Sequence, residues 1–413
     1  MSVTLSRISL FEALAHATRV ADKNSPLAAA KFARLEAKAA DRTLMVTTFN
    51  GQTAVESVLA GDVADDLLVY VDAQTLYKLV SAMPEGAITL AMNGNGVSMT
   101  TGDGKFKNDL KIGADIEIPV IAGSSRTEMA RIAGVEVRRL ARAVKFASSE
   151  DAKPALMTVH VGFNKVEEKV IAVASATDGF AAVQSLAPVI SCSQAAVEKG
   201  LTFTAPFMSL ILEAVRPDDQ VTVYRSGESR FIIAVTNDKS GKNLALASTE
   251  SSVVTPVEQI AAMIKSTKSE ADVTFEVDTA SLENALDIIG AYSGDNSDLA
   301  YVFLSIHNGM VYYASNPTGN GQCRPSILDG TAAGPNTSRW FNPNMVRRAA
   351  DLMPEKTKAS MPSKPKTPIL LMGDNIRVMI APMDNTALKD IKVEEATAVE
   401  LPMEQPILAA VAA

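Results

Sequence analysis

Apolar positions recur every three to four residues in six stretches of the chain and alternate through most of what separates them. The first rhythm predicts helices and the second predicts half-buried strands. Three helices are expected at residues 10–21, 135–147 and 280–291. Three more end alike: Leu79-Val80-Ser81-Ala82-Met83-Pro84, Leu212-Glu213-Ala214-Val215-Arg216-Pro217 and Arg348-Ala349-Ala350-Asp351-Leu352-Met353-Pro354. Proline cannot continue the hydrogen-bond ladder, so it marks the stop. Strand–turn–strand patterns follow at 87–100, 220–235 and 368–380, turning at Asn93-Gly94, Ser226-Gly227 and Gly373-Asp374.

The three prolines stand 133 and 137 residues apart, which reads as an internal repeat. Each unit is helix, strands, helix, strands, so the expected class is α+β with three tandem domains, each two helices packed on antiparallel sheets. The boundaries fall at 1–122, 126–264 and 270–385, with links at Ala122-Gly123-Ser124-Ser125 and at the polar run 265–269. Residues 386–413 read as a flexible C-terminal tail.

The 413 residues are 47% hydrophobic, enough for two to three cores. Net charge is −8, which excludes a surface wrapped all round in nucleic acid but leaves room for a local basic face. Cys192 and Cys323 have no CxxC spacing and make no disulfide framework, which suits a reducing cytoplasm. No apolar run reaches the roughly 20 residues of a membrane span. His16, His160 and His307 sit in no paired ligand spacing, and neither metal nor cofactor is expected. There is no GxSxG elbow and no phosphate loop. Gly94-Asn95-Gly96 and Gly102-Asp103-Gly104 flank an alternating run and read as hairpin turns. The carboxylates are scattered, so an α+β enzyme built on them is the less favoured reading.

Short motifs, in order, resemble a known family. Ala176-Thr177-Asp178-Gly179, Lys153-Pro154-Ala155-Leu156, Ala381-Pro382-Met383 and Asn24-Ser25-Pro26-Leu27 are similar to segments of the bacterial DNA sliding clamp, the beta subunit of DNA polymerase III. The resemblance covers residues 1–385. It departs where the family's His-Arg-Leu is Phe180-Ala181-Ala182, and again in the extra tail, which marks a divergent member. It implies a non-enzymatic processivity factor, cytoplasmic, with this chain forming half of a closed homodimeric ring. That ring encircles duplex DNA and tethers a DNA polymerase after a clamp loader places it. A clamp-derived scaffold that does not encircle DNA is the alternative.

A clamp lining should be mildly basic, drawing phosphates without gripping bases. In 137–145, Val137, Leu140, Ala141 and Val144 share one helix face, while Arg138, Arg142 and Lys145 share another beside Arg139. A solvated helix face explains the same charges. Lys23, Arg216, Arg347 and Arg348 are further DNA-binding candidates. The six helical segments total +1 against −8 for the whole chain, and the segment at 279–291 is acidic. The resemblance also implies a partner-peptide pocket of Leu156, Thr177, Gly179, Phe180, Ala182, Pro256, Pro382 and Met383 between the second and third units. It implies dimer contacts at Phe106 and Tyr292. Core packing is the competing explanation for the apolar members. In the tail, Gln405-Pro406-Ile407-Leu408-Ala409-Ala410-Val411 resembles a partner peptide.

Overall fold

The computed structural model describes residues 1–94, 96–113, 116–121, 126–150, 152–294, 299–383 and 388, and shows one topology used three times. Eight α-helices occur among them: α1 (Arg7–Val20), α2 (Ala73–Ala82), α3 (Gly134–Ala141), α4 (Gln194–Lys199), α5 (Ala205–Ala214), α6 (Val257–Ser269), α7 (Thr279–Ala291) and α8 (Pro343–Ala350). Repeat one has β1 (Ser2–Ser6), β2 (Phe32–Lys38), β3 (Thr43–Phe49), β4 (Thr53–Ala60), β5 (Asp62–Val63), β6 (Leu67–Asp72), β7 (Ala87–Asn93), β8 (Gly96–Thr101) and β9 (Lys107–Lys111). Repeat two has β10 (Thr127–Ala133), β11 (Thr158–Val166), β12 (Lys169–Thr177), β13 (Ala181–Pro188), β14 (Ser191–Cys192), β15 (Leu201–Thr204), β16 (Gln220–Ser226), β17 (Arg230–Asn237) and β18 (Lys242–Thr249). Repeat three has β19 (Val273–Asp278), β20 (Val302–His307), β21 (Met310–Ser315), β22 (Ser326–Ile327), β23 (Gly330–Ala333), β24 (Thr337–Phe341), β25 (Lys356–Met361), β26 (Ile369–Met372) and β27 (Ile376–Ile380).

In every repeat a long helix follows the first strand and another follows the sixth. The strands divide into a five-stranded set, β5-β1-β7-β8-β9 in repeat one, and a four-stranded set, β4-β3-β2-β6. Repeats two and three reproduce both orders as β14-β10-β16-β17-β18 with β13-β12-β11-β15, and β23-β19-β25-β26-β27 with β22-β21-β20-β24. All pairs described are antiparallel, as the alternating patterns predict. The helix pair plugs the space between the two sets, so each repeat has its own core. Leu10, Leu14, Leu35, Leu76 and Leu90 form the first. Val137, Phe163, Phe203, Ile211 and Val223 form the second, and Phe275, Leu282, Leu304, Phe341 and Val346 the third.

Local chemistry sets the helix ends. Asp72, Asp278 and Asn342 accept from the backbone N–H of Thr75, Ser281 and Asn344 and cap α2, α7 and α8. The backbone N–H opening α1, α3 and α7 in turn donates to the loop past the neighbouring helix: Arg7 to Gly86 O, Gly134 to Asp219 O and Thr279 to Glu355 O, at 2.7–2.9 Å. These bonds satisfy donors that a helix start leaves orphaned.

The chain divides into two compact units. Residues 1–179 with 183–258 form the first, which holds repeat one and nearly all of repeat two; residues 180–182 with 259–413 form the second. Within the first unit β18 pairs with β4, Leu244 opposite Ser57 through Ser248 opposite Thr53, joining a five-stranded set to a four-stranded one in a nine-stranded sheet. On the helical side of that junction Arg19 pairs with Glu213 at 3.0 Å and Arg216 with Glu12 at 2.8 Å, linking α1 to the end of α5.

Two expectations change. The polar run at 265–269 is no link but the end of α6, which runs through the boundary drawn at residue 264 and buries Ile260, Ile264 and Thr267. The helix expected at 135–147 is α-helical only to Ala141 and tightens to a 3₁₀ turn over Arg142–Phe146. The links at 122–125, the boundary at 385 and the tail, Leu388 excepted, lie outside the described residues. Among those residues no helix is long and apolar enough to cross a membrane.

Candidate nucleic-acid interface and partner contacts

The cations singled out by helical spacing meet different fates. Arg138 turns across to α5, where its Nη1 donates to Leu212 O at 2.8 Å and Val215 O at 2.6 Å. A guanidinium on the last carbonyls of a helix satisfies orphan acceptors and the negative end of the dipole together. Arg7, which sequence reasoning passed over, does the same for α2 through Val80 O and Ser81 O. Arg139 pairs with Glu136 on its own helix, and Arg347 pairs with Asp287 at 2.7 Å between α8 and α7. Arg216 is exposed but engaged with Glu12. Arg142 is exposed and Lys145 half-buried on the 3₁₀ turn, where residues three apart eclipse, so both stay on one side. Lys23 is exposed in the loop after α1, and Arg348 is half-buried on α8.

A cleft of about 80 Å³ opens beside α1 in the first unit, lined by Glu12, His16, Arg216, Lys242 and Asn243 among others. At its base Lys242 Nζ donates to Asp219 Oδ2 and to Ala214 O, both at 2.6 Å, and Asn237 Nδ2 donates to Asp219 Oδ1 at 3.1 Å. The Asp219 side chain is fully buried. His16 overlooks this network, and burial, aided by Lys242 and Arg216 and opposed by Glu12 and Asp219, pulls its pKa down to about 4. A histidine whose folded pKa lies below the unfolded value of about 6.5 costs stability as the pH falls from 6.5 towards 4, because only the unfolded chain takes the proton there. Replacing His16 by Leu is expected to remove on the order of 2 kcal/mol of that loss, allowing for partial exposure. Urea titrations at pH 4.5 and 7 check it, and equal pH slopes in both proteins would contradict it.

The partner-peptide residues divide between the two units. In the first, Thr177 ends β12 and its Oγ1 accepts from the backbone N–H of Gly179 at 3.1 Å. Gly179 has φ +93°, and a Cβ there would lie 3.5 Å from Leu156 Cδ1, so the turn is shaped for glycine. Pro256 is half-buried just before α6. In the second unit Phe180 is 59% exposed, and its carbonyl accepts from Ala381 N at 2.8 Å. Ala182, expected in the pocket wall, instead packs with Ile260, Ile264, Leu370 and Met379 and is buried. Pro382 and Met383 are half-buried after β27. Phe106 is half exposed in the turn entering β9, and Tyr292 caps the C-terminus of α7.

No protein-family model matches the sequence, and no curated protein does. Solved structures do match. The fold is that of the sliding clamps, the beta subunits of DNA polymerase III. The chain is similar to the Caulobacter crescentus clamp crystallised with polyethylene glycol, at TM-score 0.78 and 16% identity, over 93% of this chain and 99% of that one. It is equally similar to the Bartonella birtlesii clamp bound to griselimycin, at TM-score 0.78 and 16% identity, over 93% and 100%. The beta subunit of Thermotoga maritima gives 0.77 and 14%, over 93% and 99%.

Proposed function

We propose that the chain is a non-enzymatic, cytoplasmic DNA polymerase processivity factor, two copies of which close head to tail into a ring around duplex DNA. The observation that carries this reading is a mismatch of edges. Inside the first unit the five-stranded set of repeat two ends in β18 and finds β4, the end of a four-stranded set. The five-stranded set of repeat one ends in β9 and the four-stranded set of repeat three ends in β22, and among the described residues neither has a neighbour on its outer side. Open edges are templates for pairing. A second copy offers each the counterpart it lacks, and two such junctions close a cycle. Phe106, at the entrance to β9, belongs to that contact, and Tyr292 is its counterpart in repeat three.

Residues 1–122, 126–264 and 270–385 are then the three clamp domains, with α6 bridging the second boundary. Leu156, Thr177, Gly179, Pro256, Phe180, Pro382 and Met383 are the points offered to peptides of a polymerase and a clamp loader.

DNA is held by topology, helped by weak contacts from Lys23, Arg142, Lys145 and Arg348. Arg138 and Arg139 act on the helices instead. Light scattering should give a mass near twice 43.7 kDa; a monomer at micromolar concentration argues against the ring. Once loaded on nicked circular DNA, the triple variant Lys23→Glu, Arg142→Glu, Lys145→Glu should dissociate at least about tenfold faster at low salt than the parent. Unchanged retention with an intact fold would remove these three from the lining.

A further inference from the structure

The five-stranded set of repeat three is apolar on both faces. Along β26 and β27, Ile369, Leu371 and Ile380 line the core with Leu282 of α7 and Val346 of α8. Leu370 and Met379, opposite one another in register, turn to the other side. There they meet Ala182 of β13, with Met372 beside them. A sheet of this kind needs a cover on each face. On the outer face that cover is α6, which lays Ile260 and Ile264 on Ala182, Leu370 and Met379. All of these residues belong to the second unit.

The cover fits its face poorly. The buried stripe of α6 is Ile260, Ile264 and Thr267, so its third point is a hydroxyl. That hydroxyl, on a residue 5% exposed, donates to the sulfur of Met379 at 3.8 Å, and a thioether is a weak acceptor. Met263, which has the apolar side chain the seam lacks, is left 48% exposed. On the sheet, Ser360 stands opposite Leu370 and shares its face. It is buried, and its Oγ has no hydrogen-bond partner. The backbone of α6 cannot supply one, because a helix interior spends its N–H and C=O groups on itself.

An extended peptide suits the same face better. Isoleucines at i and i+4 of a helix hold their Cβ atoms about 6 Å apart. Residues at i and i+2 of an extended chain stand about 6.6 Å apart on one side. The two seats filled by Ile260 and Ile264 therefore accept two aliphatic side chains of a strand, whose backbone keeps donors and acceptors free for Ser360. The face also continues into open apolar surface. Phe180, two residues before Ala182 and bonded through its carbonyl to Ala381 N, is 59% exposed.

We propose that α6 is a displaceable cover, which fills this apolar seat until an extended partner segment with aliphatic residues two apart competes it away. The inference rests on the partner-peptide reading of Phe180 and its neighbours and adds the regulation of that site. A seat that is covered most of the time binds with an affinity reduced by the fraction of uncovered molecules.

The test uses the full-length chain and a fluorescein-labelled peptide, Ser-Ile-Ser-Ile-Ser, followed by fluorescence anisotropy. Ile264→Asp, which releases α6, should tighten binding at least about tenfold, whereas Thr267→Val, which gives the seam its missing methyl, should weaken it about threefold. Opposite shifts guard against a variant that merely misfolds. In hydrogen exchange the amides of α6 should exchange at least about a hundredfold faster than those of α1, and saturating peptide should speed them further. Unchanged affinity in both variants, or α6 amides as slow as those of α1, would overturn the displaceable cover. If the peptide binds neither the parent nor Ile264→Asp while α6 still exchanges fast, the peptide site itself is refuted and the inference falls with it, so the two failures are told apart.

Discussion

Gly134→Ala should destabilise the first unit by about 3 kcal/mol, against the direction that helix propensity dictates. Alanine exceeds glycine by about 1 kcal/mol inside a helix. At the start of α3, however, a Cβ on residue 134 would stand 2.2 Å from Arg216 O and 2.7 Å from Asp219 O. Both are backbone atoms and cannot swing aside. Relief requires α3 to retreat from the loop after α5, stretching the bonds from Gly134 N to Asp219 O and from Val135 N to Pro217 O. Overpacking of this kind costs about 1–3 kcal/mol and each lost bond about 1 more. Sterics therefore win. Gly290 of α7 provides the control, because nothing lies within 4 Å of its added Cβ. The same substitution there should stabilise by about 0.5–1 kcal/mol. Urea midpoints of the two variants should move in opposite senses; a shared direction would show that the close approach at Gly134 is not what constrains it.

Lys242→Met is expected to cost about 3–5 kcal/mol, the larger of the two effects. Asp219 is fully buried, and its charge is balanced by Lys242 with help from Asn237 and the backbone N–H of Arg216. Removing the ammonium leaves a carboxylate in a low-dielectric site, which is far worse than never having buried the pair. Adding Asp219→Asn to Lys242→Met should recover much of the loss, and the double-mutant cycle measures the coupling. A loss in the double variant equal to the sum of the two single losses would show that the pair is not coupled.

Much of the architecture was legible in the sequence. Six helices declared themselves by spacing and three of them by a terminal proline, signals that depend on neighbours a few residues away. α6 was missed because its last five residues are polar, yet Ile260, Ile264 and Thr267 lie at i, i+4 and i+7 and need only one apolar stripe. The basic residues around α3 were placed by spacing alone, which is silent on what lies across from them. Spacing shows that Arg138 and Arg142 project together, but nothing within a turn of Arg138 reveals that the end of α5, some 74 residues away, lies across it. Ala182 looked like pocket lining for the same reason, since α6 had not been seen to cover it. The aromatic far face of β20 and β24 was beyond reach too: Phe303 and Trp340 become neighbours only once strand register is known.

Arg7 and Arg138 carry a consequence for the charge that two helix ends present. Uncovered, the C-terminal ends of α2 and α5 would each carry about half a negative charge. Each guanidinium neutralises one such end from another element of the same repeat, Arg7 on Val80 O and Ser81 O, Arg138 on Leu212 O and Val215 O. Those two arginines therefore serve as caps supplied from a distance in sequence, where local residues supply none.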